Sequence, residues 1–153
     1  MFYYTFTSKL GKITITADEN YIKSIGFNSS KPVGTMKKTM LISETRKQLE
    51  EYFSGKRKIF DLPLNPEGTS FQKRVWKALT QISYGKTASY KEIAEAVGCP
   101  GGARAVGNAN NKNPIAVIIP CHRVIGADGS LTGYAGCIDI KKRLLMLESK
   151  YSY

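Results

Sequence analysis

Ser89-Tyr90-Lys91-Glu92-Ile93-Ala94-Glu95-Ala96-Val97-Gly98-Cys99-Pro100-Gly101-Gly102-Ala103-Arg104-Ala105-Val106-Gly107-Asn108-Ala109-Asn110 sets the architecture of this chain. Ser89 and Glu92 have the spacing of a capping box, in which a serine oxygen accepts from a first-turn amide while the glutamate reaches back. They open a short helix, residues 90 to 97, that stops at Gly98. Cys99-Pro100-Gly101-Gly102 breaks the chain, and a second short helix follows from Ala103 to Asn110. Two short helices across a glycine-containing turn form the helix-turn-helix outline. Most such hairpins are purely structural, but here the second helix is built of Ala, Gly and Asn, with Arg104 its only charge. Small residues allow close approach to another backbone, as a nucleic-acid groove demands, and one arginine near the helix start can reach between bases.

Upstream, Phe2 to Ser8, Ile13 to Ala17 and Tyr21 to Phe27 alternate β-branched or aromatic residues with polar ones. Turn residues at Leu10-Gly11 and Asp18-Glu19-Asn20 separate them, which predicts an antiparallel three-stranded meander. From Met36 to Ser54 the residues Leu41, Thr45, Leu49, Tyr52 and Phe53 fall at helical spacing, with Gly55 placed to close the helix. Phe60 to Gly68, with two prolines and a glycine, predicts a linker. The expected domains are therefore 1–66, a sheet with one covering helix, and 67–153, mostly helical. In the second, Phe71, Val75, Leu79 and Ile82 stripe a helix over residues 70 to 82, with Trp76 beside them.

Downstream, Asn113-Pro114 ends the second short helix, and Ile115-Ala116-Val117-Ile118-Ile119 predicts a fully buried strand that delivers Pro120-Cys121-His122-Arg123. A thiol is a nucleophile only as its thiolate, and an adjacent base or positive field makes that form available. Cys121 has both beside it, and His122 is the only histidine in the chain. A free cysteine after an apolar run is most often a small buried hydrophobe, but His and Arg are seldom buried without partners. The glycine-rich loop Gly126 to Gly136 can bring backbone N–H groups close to a small ligand. Asp139 then caps a last helix with Ile140, Leu144, Leu145 and Leu147 on its apolar side. Glu148, one turn beyond Leu144, is either a partner for His122 or a solvated helix-end charge.

The chain has 153 residues, 42% hydrophobic and 23% charged, which is ordinary for a folded globular protein. No apolar run approaches the roughly 20 residues of a membrane span, and Met1-Phe2-Tyr3-Tyr4-Thr5 lacks the features of a signal peptide. An intracellular, cytoplasmic protein is expected, acting at the nucleus or nucleoid where the cell type requires it. Three cysteines, Cys99, Cys121 and Cys137, with no CxxC and one histidine spell no zinc site. No cofactor and no metal are expected. The net charge of +11 favours a polyanion, nucleic acid before an anionic membrane surface.

Ile119-Pro120-Cys121-His122-Arg123-Val124 resembles the active-site signature of the O6-alkylguanine-DNA alkyltransferases, the methylated-DNA-protein-cysteine methyltransferases. Ser89-Tyr90, Ala103-Arg104-Ala105-Val106-Gly107, Asn113-Pro114, Gly133-Tyr134 and Glu148 agree in type and spacing, so that the match is strong from Ser70 to Glu148. The resemblance implies an α+β protein, with a ribonuclease H-like N-terminal part and a winged-helix-like C-terminal one. It implies a monomer that binds double-stranded DNA containing alkylated guanine and acts once, by direct reversal. Its second short helix, with Ala103, Ala105, Gly107 and Asn110 beside Arg104, would enter the minor groove, and Arg104 would replace a flipped-out base. Cys121 would take the alkyl group, His122 would accept the thiol proton through water, and Glu148 would orient His122. Tyr90 would donate to guanine N3, Asn113 would serve as a hinge, and Val124, Tyr134 and Ala135 would line the substrate pocket. The resemblance leaves open whether O4-alkylthymine would be repaired as well.

Ala135 stands where many members carry serine, and Cys137 where many carry glycine. A cysteine hydrolase would need a histidine from elsewhere in the chain, and there is none. The remaining alternative is a helix-turn-helix protein that binds DNA or a lesion without chemistry.

Overall fold

The computed structural model describes residues 1–28, 32–131 and 138–152. They fall into two compact units, Met1–Glu67 with Pro114–Ala116, and Gly68–Asn113 with Val117–Tyr153. Each is built from its own core.

In the first unit, β1 (Phe2–Ser8) and β2 (Gly11–Ala17) form an antiparallel hairpin with Phe2 opposite Ala17 and Ser8 opposite Gly11. β3 (Ile22–Phe27) pairs with the other edge of β2, with an irregularity at Thr16/Ala17. The expected meander is present, but the sheet has a fourth member: β4 (Thr35–Met36) runs parallel to β1, giving the order β3-β2-β1-β4. Met36, expected to start the helix, is thus taken by the sheet. α1 instead covers Met40–Phe53, because Thr39 caps it by accepting from the Ile42 amide at 3.2 Å. Gly55 adopts φ +80° just past its end, a conformation that favours glycine. Ile42, Leu49, Tyr52 and Phe53 of α1 and Ile13, Ile15 and Ala17 of β2 are buried. Burying each large side chain contributes about 1.5–3 kcal/mol.

Two segments depart from the sequence expectation. Part of the expected linker pairs with β3: the Ile22 amide donates to the Pro63 carbonyl at 2.9 Å, and the Asn65 amide to that of Ile22 at 2.9 Å. The expected strand 115–119 is not a strand either. Ile115 makes a single bridge to Ile25, and the chain then turns through Val117, whose φ is +71°. A β-branched residue there is strained. Asn113 Nδ2 brackets the turn by donating to the Ile119 carbonyl at 2.9 Å.

In the second unit, α2 (Ser70–Leu79) starts in a capping box of Thr69 and Gln72, and α3 (Tyr90–Ala96) in the expected box of Ser89 and Glu92. Gly98, at φ +75°, closes α3, and α4 (Ala103–Asn111) follows. Val75, Trp76 and Leu79 of α2, Ile93 and Ala94 of α3, and Val106 and Ala109 of α4 are buried. Trp76 Nε1 donates to the Ala109 carbonyl at 2.8 Å, tying α2 to α4 inside that core. β5 (Ala88–Ser89) pairs in parallel with β6 (Val124–Ile125), which follows a short 3₁₀ turn over Cys121–Arg123. α5 (Ile138–Lys150) completes the unit, with Asp139 in its first turn. No helix among the described residues is long and apolar enough to cross a membrane.

Candidate active site

The 3₁₀ turn carries Cys121, His122 and Arg123, all buried. Cys121 is a free thiol, 5% exposed, and burial pushes it up to about 11. An Asn113 hydrogen bond and the charge of Lys141 pull the other way. At rest the sulfur therefore keeps its proton, and acting as a nucleophile would require a base.

His122 lies beside it with 0% exposure, and burial lowers its affinity for a proton, so the ring is neutral. Its Nε2 stands 2.7 Å from Glu148 Oε2. Facing a carboxylate, Nε2 carries the proton and Nδ1 is the acceptor. Nδ1 is buried with no hydrogen-bond partner among the described residues.

Glu148, on α5, is 1% exposed, so the solvated-charge alternative is excluded. Burial alone would raise its carboxyl, but hydrogen bonds and charge from His122 and Arg123 bring it down to about 2. Arg123 donates through Nε to Oε1 at 2.8 Å and through Nη2 to Oε2 at 3.0 Å. Its Nη1 donates to the Ile82 carbonyl at 2.6 Å, and the Gly85 amide donates to Glu148 Oε1 at 3.2 Å. The segment leading from α2 to α3 is thereby fastened to the carboxylate that holds the histidine. Arg123 is a permanent counter-charge for Glu148, and it also lowers the proton affinity of His122.

Lys141, not singled out from the sequence, is 0% exposed. Its Nζ donates to the Val124 carbonyl and lies 5.8 Å from the centre of the Tyr90 ring. Burial lowers it to about 8, while the proximity of Cys121 favours its charge. Lys141, Leu144 and Glu148 share one face of α5, and that spacing is the signal that could have found it. Tyr90 begins α3, and a Cβ added to Gly107 of α4 would lie 3.9 Å from its ring. Val124 is buried in β6. Tyr134 and Ala135, expected in the pocket, and Cys137 beside them lie outside the described residues.

On α4, Arg104, Ala105, Asn108 and Asn111 are exposed, while Ala103 and Gly107 are partly covered. Asn110, expected on the DNA-facing side, is 1% exposed and donates through Nδ2 to the Cys121 carbonyl at 3.3 Å. It belongs to the interior face with Val106 and Ala109, because residues 106, 109 and 110 fall on one side of a 3.6-residue turn. Asn108 and Asn111, which the sequence did not single out, occupy the open face.

The fold and site together define a helix-turn-helix protein armed with a buried thiol, a neutral imidazole and a carboxylate in series. Residues 1–66 match the 6-O-methylguanine DNA methyltransferase, ribonuclease-like domain, and residues 70–150 match the 6-O-methylguanine DNA methyltransferase, DNA binding domain. The chain is 52% identical over 153 residues to the methylated-DNA--protein-cysteine methyltransferase of Methanosarcina barkeri, covering 97% of each. It is 43% identical over 156 residues to the constitutive methyltransferase of the same name from Bacillus subtilis, covering 96% of this chain and 94% of that one. The crystal structure of Mycobacterium tuberculosis OGT in complex with DNA superimposes with a TM-score of 0.93 at 45% identity, over 99% of this chain and 94% of that one. This chain belongs to the 6-O-methylguanine DNA methyltransferase family.

Proposed function

We propose that this protein repairs O6-alkylguanine in double-stranded DNA by direct reversal, moving the alkyl group irreversibly to Sγ of Cys121, and acts as a monomer. The observation that supports this best is the buried, hydrogen-bonded pair of His122 and Glu148, with His122 next in sequence to a buried Cys121 that is still protonated.

The alkylated oxygen cannot be reached inside a duplex, so the damaged nucleotide is flipped out, and Arg104, exposed near the start of α4, fills the space it leaves. Cys121 then attacks the alkyl carbon in line with the guanine O6 bond. As the S–C bond forms, the thiol proton passes through a water to His122 Nδ1, and the electrons of the broken C–O bond stay on guanine. Glu148 stabilises the imidazolium, as the third member of a nucleophile–base–orienter series does elsewhere. Arg123 keeps that carboxylate ionised, and the Lys141 cation favours the developing thiolate. The Tyr90 hydroxyl donates to guanine N3 as charge builds on the ring, a contact aimed at the transition state. Asn113 acts as the hinge, since it grips the Ile119 carbonyl two residues ahead of Cys121. Val124, buried in β6, lines the base pocket, and Ala103, Ala105 and Gly107 let α4 approach the groove closely. The product is a thioether with no easy leaving group, so each molecule acts once. O4-alkylthymine presents the same alkyl–oxygen bond and is a second substrate.

Intact-protein mass spectrometry with peptide mapping, after incubation with duplex DNA carrying one O6-methylguanine, tests this. The expected result is one methyl group on Cys121 with matching loss of the lesion. Lesion binding without transfer by folded protein would instead establish a non-catalytic lesion-binding protein.

A further inference from the structure

We infer that Asn110 is a positioning residue for the transfer: its side-chain carbonyl is the third anchor of the water that carries the Cys121 proton to His122. The inference rests on the alkyl-transfer function proposed above.

Asn110 is buried on the inner face of α4, and its Nδ2 donates to the Cys121 carbonyl at 3.3 Å. That contact fixes which way the carboxamide points, because the reversed orientation would set two acceptor oxygens against each other. Oδ1 is therefore left as an acceptor, buried and without a partner among the described residues. His122 Nδ1 is in the same condition. They are linked through one peptide group: the carbonyl that Asn110 holds belongs to the bond joining Cys121 to His122, whose ring carries Nδ1. An unsatisfied buried acceptor costs about 1–3 kcal/mol, and buried waters typically make about three hydrogen bonds. One water satisfies both acceptors with its two O–H groups and accepts the thiol proton with a lone pair.

The proton balance follows. The Sγ proton moves to the water oxygen as that water passes its own proton to Nδ1. The second O–H stays on Asn110 Oδ1 throughout and prevents the water from turning away. The S–C bond forms as the C–O bond to guanine breaks, and the water ends unchanged. Asn110 touches neither sulfur nor substrate in this scheme and acts by orienting the carrier.

The test compares wild type with Asn110→Leu and Asn110→Met in single-turnover methyl transfer from duplex O6-methylguanine, between about pH 6.5 and 9.5. Lesion affinity is measured for the same changes in a Cys121→Ala background. The expected result is a transfer rate about 10- to 100-fold lower near neutral pH, with affinity held within about twofold. The deficit should narrow as pH rises, because hydroxide then replaces the relay. A rate within about twofold of wild type in either folded variant, or a deficit of equal size at every pH, would overturn the role. A crystal structure of the wild-type protein, at a resolution that shows ordered water, needs no variant. A water within hydrogen-bonding distance of Asn110 Oδ1, His122 Nδ1 and Cys121 Sγ is expected, and any other donor on Oδ1 refutes the scheme. If the wild type itself transfers no methyl group, the function fails; if it does and both variants keep pace, only the role of Asn110 is lost.

Discussion

Burial makes Cys121 a weak acid, with its thiol near 11, so its reactivity is borrowed from neighbours that burial has also shaped. Lys141 shows the cost of that arrangement. Its amine is lowered to about 8 from 10.5 by burial, so across that window the unfolded chain holds the proton more firmly than the folded one. The buried charge therefore opposes folding below about pH 8, and the penalty fades as pH climbs toward 10.5. Lys141→Met should accordingly raise the melting temperature near pH 7, by about 1–3 kcal/mol of stability, and the gain should shrink in alkaline solution. The same change should slow methyl transfer by about tenfold, because the cation no longer favours the thiolate. Calorimetry and single-turnover kinetics on one preparation measure both. Destabilisation at pH 7 would show that the Lys141 contacts outweigh its desolvation.

At the scale of an element, α4 divides its work between two faces. Val106, Ala109 and Asn110 point inward, toward Trp76 and Cys121, and Arg104, Ala105, Asn108 and Asn111 point out. One nine-residue helix thus holds the Cys121 backbone and presents an open polar face. Arg104→Ala leaves the inner face untouched. It should slow transfer from a duplex lesion by roughly tenfold or more, because nothing then fills the vacated stack. Transfer from a single-stranded oligonucleotide with the same lesion should stay within about twofold of wild type, since that base needs no extrusion. Equal losses on both substrates would count against an intercalating role.

Over the whole molecule, 23 lysines and arginines face 12 acidic residues, and 12 of those cations lie in residues 68–153 against five acids. The part that carries α4 is the more basic, as binding to a phosphate backbone requires. The one acid buried there, Glu148, couples the site to stability. Its carboxyl sits at about 2 in the folded protein against 4.5 for an unperturbed glutamate, so the unfolded chain binds that proton more readily. Its contribution, about 3 kcal/mol at most, is complete above about pH 4.5 and is lost as pH falls toward 2. Glu148→Gln should be less stable at neutral pH, and its stability should decline less steeply between those limits. Chemical denaturation as a function of pH reads the difference directly, and parallel wild-type and variant curves would show that the network does not set acid stability.

The helix-turn-helix, the hairpin of β1 and β2 and the adjacency of Cys121 to His122 were legible from residue order, because capping, alternation and neighbouring side chains act within a few positions of the chain. Family resemblance then attached Glu148 to His122 across 26 residues, which spacing alone left open. Tertiary structure decided the rest. The apolar run 115–119 reads the same extended or turned, and its turn depends on Asn113 gripping the Ile119 carbonyl and on Ile25 pairing with residues 114–116. Lys141, Arg123 and Asn110 are residue types that ordinarily face water, and each is buried because a carbonyl or a carboxylate from a distant element meets it. Residue order set the local elements and which residues could react. Only folding determined which polar groups would leave water together, since the free energy of a buried charge or amide depends on partners that the chain brings close in space and not in order.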